Sequence, residues 1–140
     1  MNKQLGWSVL IAAIQKKIQD NTGLACLSVM PANAEGPFYF TEVVGKRPAH
    51  SKTMYKDVFT VWIHTIAEPP EKEGESSVPI YELIQKLEEA LTEDIELPED
   101  VELIRQTNLG IPAIKAEETS DTHTVLAYEF MVCYGLQCKV

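Results

Sequence analysis

Two stretches of this chain carry the same apolar spacing. Trp7, Leu10, Ile11, Ile14 and Ile18 fall at offsets of zero, three, four, seven and eleven, and Ile80, Leu83, Ile84, Leu87 and Leu91 repeat those offsets. A helix with 3.6 residues per turn gathers each set onto one face. Two helices with one apolar face each are satisfied by a common sheet, which restricts the chain to helices laid on strands. The first helix is expected from Leu5 to Asn21, with Gly23 past "QDNT" suited to a left-handed stop. The second starts well, because Ser77 can cap it, Pro79 fits its first turn and Glu82 suits its N-terminus. Pro98 in "TEDIELPED" follows as its stop.

The remaining segments read as strands and turns. "GLACLSVM" is a short buried strand, with Leu24 and Cys26 on one side and Leu27 and Val29 on the other. "PANAEGP" is a turn. "FYFTEVVG" is rich in aromatic and β-branched residues and ends at Gly45. "KRPAHSKTMYK" reads as a polar, basic loop holding Lys46, Arg47, Lys52 and Lys56. In "VFTVWIHTI" both faces are largely apolar, so a central strand covered on both sides is expected. "AEPPEKEGESS" suits neither helix nor strand. "VELIRQTNLG" is a strand, and "IPAIKAEE" a short edge strand, since Pro112 cannot donate to a central ladder. "SDTHTVLAYEFMVCYGL" is a long covered strand with Leu126, Tyr128, Phe130, Val132 and Tyr134 on one side. The order α-β-β-β-α-β-β-β lacks regular βαβ alternation. It points to an α+β fold, a mainly antiparallel sheet covered by two amphipathic helices.

A length of 140 residues suits a single domain over 1–140. No apolar run approaches the roughly 20 residues that cross a bilayer. The N-terminal stretch lacks the long apolar core and cleavage site of a secretory signal, so a cytoplasmic protein is expected. Cys26, Cys133 and Cys138 form no CxxC and read as thiols in a reducing compartment, with a Cys133–Cys138 pair left open. His50, His64 and His123 stand at no ligand spacing, so no metal is expected.

The net charge of −9 is unevenly spread. From Glu68 to Glu102 there are thirteen acids against Lys72 and Lys86, a balance of −11; the rest has eight acids and ten bases, +2. Such a surface disfavours wrapping nucleic acid by phosphate neutralisation. No phosphate-cradling glycine loop and no GxSxG occurs. His64 beside Trp62 reads as a half-buried histidine with a local hydrogen bond. His123 can pair with Asp121 but reads more simply as part of a turn entering a strand. Glu88 and Glu89 are adjacent on a helix and do not face each other. Neither an enzyme nor a cofactor is expected. What stands out is a basic arm with Arg47, Lys52 and Lys56 opposed in sign to the acids Glu68, Glu71, Glu73 and Glu75. If these lie on different sides of the fold, one copy can meet the next head to tail, and such contacts make rings when the rotation closes.

The succession of a first amphipathic helix, "PFYFTEVVG", a basic loop, "DVFTVWIHT", a variable loop, "PIYELIQKLEEAL" and "HTVLAYEFMVCY" resembles the tail-completion, or tail-terminator, proteins of long-tailed bacteriophages and prophages. The resemblance runs from about Trp7 to Tyr134 and is one of element order. It implies a structural protein forming a homo-oligomeric ring, commonly of six copies, at the head-proximal end of the tail tube. There it ends tube polymerisation and joins the tail to the head. The implied partners are the tail-tube protein and the head connector, with DNA passing the channel without specific binding and no membrane contact. The implied location is the host cytoplasm during assembly and then the virion tail. The family brings no catalytic residues. Two other readings stay open: a head-completion or connector adaptor, and a small cytoplasmic binding module that docks a basic partner.

Overall fold

The computed structural model describes residues 6–28, 37–50, 54–67, 78–98, 101–112 and 123–136. Their elements are α1 (Trp7–Thr22), β1 (Cys26–Leu27), β2 (Phe38–Pro48), β3 (Met54–Ile66), α2 (Val78–Ala90), β4 (Glu102–Gly110) and β5 (His123–Leu136). This is the expected α+β order with two strands after α2 in place of three among the described residues, β4 at "VELIRQTNLG" and β5 at the long last strand. "IPAIKAEE" does not begin as a strand, since Ile111 and Pro112 lie outside one, and residues 113–118 are outside the described residues.

Both helices end or begin as their residues dictate. Gly23 takes φ 74°, and its N–H donates to Gln19 O at 3.0 Å, closing α1 with a left-handed residue that costs glycine nothing. α2 starts at Val78, which puts Pro79 in the first turn, but that turn holds no acid: Glu82 sits one turn further in than expected. Ser77 lies outside the described residues.

The five strands form one sheet in the order β1-β2-β3-β5-β4. β1 runs parallel to β2, and the other three pairs are antiparallel. One face carries Tyr39, Thr41 and Val43 of β2; Phe59, Val61 and Ile63 of β3; and Leu126, Tyr128, Phe130 and Val132 of β5. All of these but Thr41 pack with Leu10, Ile14 and Ile18 of α1 and Ile80, Leu83 and Leu87 of α2 in a single core, with Val43 partly buried against it. Both apolar stripes therefore cover the same side. Trp7 is the exception, half-exposed at the end of its stripe.

Polar side chains lock the helices down. Tyr39 Oη donates to Leu83 O at 2.6 Å, buried between β2 and α2. Gln106 of β4 donates to Leu91 O and Glu93 O at 2.8 and 3.0 Å and accepts from Ile95 N at 3.1 Å, holding the chain that leaves α2. Lys17 of α1 reaches Glu93 at 2.7 Å, and this hydrogen bond, with the lysine charge, holds the Glu93 carboxyl below its usual range. Burial pushes the Cys26 thiol up to about 12.

One expectation needs correction. The basic stretch after Gly45 is not a loop throughout: Lys46 and Arg47 lie in β2, Lys56 lies in β3, and the two strands form one hairpin. Strand pairing supplies the backbone partners there that a loop would take from water. β3 is central and covered on both sides as expected; among the described residues the helices lie on one of those sides. On the other side Val58 and His64 are buried, His64 against Phe40 and His123.

Candidate assembly interface

The basic arm is built on the β2–β3 hairpin. Arg47 reaches across β3 to Glu129 of β5 at 3.8 Å, with its side chain still 62 % exposed. Lys46 behaves differently. It pairs with the buried Asp57 at 3.5 Å and lies over the Phe59 ring at 5.4 Å, so it serves the fold. Lys56 donates its backbone N–H to His50 Nδ1 at 2.9 Å. The acidic segment leaves from the other end of β3, past Ile66. Ten residues of strand at about 3.3 Å each put roughly 33 Å between Lys56 and that point. Lys52, Glu68, Glu71, Glu73 and Glu75 lie outside the described residues.

The helix-free face holds a constellation that spacing did not reveal. His64 Nε2 meets Glu42 Oε2 at 3.0 Å, and His64 Nδ1 meets His123 Nε2 at 2.9 Å. Phe40 stacks flat on the His64 ring, with centroids 4.0 Å apart and planes 6° apart. His64 is therefore bonded across strands, not locally, and His123 lies in β5. An ionised carboxylate only accepts, so His64 Nε2 carries the proton in the Glu42 bond. While His64 is neutral, its Nδ1 accepts from His123 Nε2–H. The signal that finds this trio is register: β2 sets Phe40 opposite His64, and β5 sets His123 opposite Ile66, diagonal to His64.

Beside Glu42 a groove of about 470 Å³ opens between α1 and β2, lined by Trp7, Ile11, Gln15, Thr41, Glu42 and Val43. It exists because β1 pairs only with Tyr39 and Phe40. Among the described residues, no strand pairs with β2 on that side from Thr41 onward. At the opposite edge of the sheet, β4 carries the exposed Ile104 and Leu109, followed by exposed Ile111. Among the described residues, no group of three His, Cys, Asp or Glu could hold a metal ion, and no helix is long and apolar enough to cross a membrane.

No curated protein matches this chain. A family model described as "Putative tail termination protein" matches residues 1–140, its whole length. The helix-covered sheet agrees with the fold implied by the sequence resemblance, and the chain belongs to the phage tail terminator family.

Proposed function

We propose that copies of this chain form a ring, of about six subunits, at the head-proximal end of the phage tail tube. The ring ends tube polymerisation and presents its other surface to the head connector. The observation that carries this reading is the match of the tail-termination family model to residues 1–140. The distribution of charge supports it. The hairpin strands that carry Arg47 and Lys56 and the point where the chain leaves β3 toward Glu68, Glu71, Glu73 and Glu75 sit at opposite ends of β3. A molecule polarised in this way favours head-to-tail over self-complementary contacts. A net charge of −9 also suits a channel wall, because it repels DNA phosphates and leaves no counterions to release. The role is structural and calls on no catalytic group or cofactor.

The test is negative-stain imaging of tails assembled with and without the protein. Overlong tubes lacking heads are expected in its absence. Tubes of normal length, joined to heads, would overturn the reading.

A further inference from the structure

Among the described residues, the outer edge of β4 and the edge of β2 from Thr41 onward are unpaired, and the two complement each other. β2 and β5 run one way, and β3 and β4 the other, because the three antiparallel pairings alternate across the sheet. If a second copy is set beside the first in the same orientation, the outer edge of β4 meets the open edge of β2. The two strands are then antiparallel. No rotation about the strand axis is needed, so the helix-covered faces stay on one side. β4 offers nine residues and the open part of β2, Thr41–Pro48, offers eight.

Charge sets the register. Glu102 and Arg105 face the helix-free side, opposite Cys133 and Met131 of β5, and both are exposed. On β2, Arg47 and Glu42 face that same side, opposite Val58 and Trp62 of β3. Traversed antiparallel, the first edge reads negative then positive and the second reads positive then negative. Glu102 thus comes to Arg47, and Arg105 comes within reach of Glu42. The apolar groups agree with this. Bulges at Leu103/Arg105 and Asn108/Gly110 leave Ile104 and Leu109 out of the ladder, 42 % and 49 % exposed. A strand edge that only guarded against pairing would carry charge at such positions. Facing it across the joint is the groove of Trp7, Ile11 and Val43.

We propose that copies of this chain join head to tail by continuing the sheet, the β4 edge of one copy pairing antiparallel with Thr41–Pro48 of the next, with Glu102 on Arg47, Arg105 at Glu42 and the aliphatic rim of β4 over the α1–β2 groove. The contact is heterologous, and its curvature follows from the twist between strands, which lets a closed ring form. This interface rests on the ring reading and gives the basic arm its partner: the start of β4 in the neighbouring copy.

The experiment uses the full chain, concentrated in solution and bound to tail tubes, followed by sedimentation velocity and native mass. Arg47→Glu and Glu102→Arg each set like charges across the joint, and each is expected to weaken association about tenfold or more. A one-to-one mixture of the two restores it, because every joint then pairs opposite charges, and only even-numbered assemblies appear. As a second readout, Arg47→Cys/Glu102→Cys in a Cys138→Ser background is oxidised. Within one copy those positions lie three strand spacings apart, about 14 Å, beyond the reach of a disulfide. A covalent ladder of chain multiples is expected. If the wild type forms rings but the ladder is absent and both reversals assemble normally, this interface is overturned and the ring stands. A ladder without any closed assembly, together with unaltered tail length, keeps the interface and removes the ring. A wild type that stays single both in solution and on tubes removes both.

Discussion

Replacing Tyr39 with Phe isolates the contact that ties β2 to α2. Tyr39 is fully buried, and its hydroxyl donates to Leu83 O at 2.6 Å. The Leu83 carbonyl sits inside α2 and keeps its helical bond, so the variant leaves no orphaned donor. The loss is one net hydrogen bond between buried partners, about 1.5 kcal/mol. For a chain of this length that lowers Tm by roughly 4 °C. The pH dependence sharpens the test. Burial, and then the neighbouring Cys26, holds the Tyr39 phenol above its ordinary 10.0. A raised folded-state value means that the contribution of this group is complete below pH 10 and is lost as pH rises beyond it, by up to about 1.4 kcal/mol per unit. Phenylalanine has nothing to lose. The gap between wild type and Tyr39→Phe should therefore narrow above pH 10 and close about one unit higher. Tyr128 and Cys26, also raised by burial, weaken both proteins alike and cancel in the difference. Urea unfolding followed by circular dichroism between pH 7 and about pH 11 measures it. Equal stabilities at pH 7, or a gap that stays constant to the alkaline end, would refute the reasoning.

Three further outcomes follow from packing. Leu87→Ala removes a fully buried side chain from the centre of the α2 stripe and should cost about 2–5 kcal/mol in urea unfolding, with the spread set by how far the helix settles. Thr65 buries a hydroxyl that has no partner among the described residues. Thr65→Val should therefore leave stability unchanged or raise it by about 1–2 kcal/mol in the same assay. Gly23→Ala meets no atom within 4 Å of the added Cβ but must hold φ at 74°, so it should cost about 1–2 kcal/mol through the backbone alone, seen as a lower Tm.

The helices were legible because burial is periodic along each: Leu10, Ile14 and Ile18 stand out only against the less buried residues between them. The centre of the sheet was legible for a different reason: in "VFTVWIHTI" both faces are largely apolar, which marks a strand covered on both sides. Legibility ended where burial stopped imposing a pattern. The strand ends at Lys46, Arg47 and Lys56 lie beyond the helix-covered zone, and their side chains find Asp57, Glu129 and solvent instead of a core. They looked like a loop for that reason. The Glu42–His64–His123 chain depends on the register of three strands, with partners 22 and 59 residues apart, and no local spacing encodes it. The identity of the basic arm was readable from composition, but its place on a hairpin, beside a strand edge unpaired among the described residues, was not.

One measurement bears most directly on the central claim. Purified protein is titrated into tail-tube protein during polymerisation, and tube lengths are scored by negative stain. The account predicts that lengths fall as the protein is added and that each stopped tube carries a cap at one end. A length distribution that is unchanged at saturating protein, with bare tube ends, would contradict it.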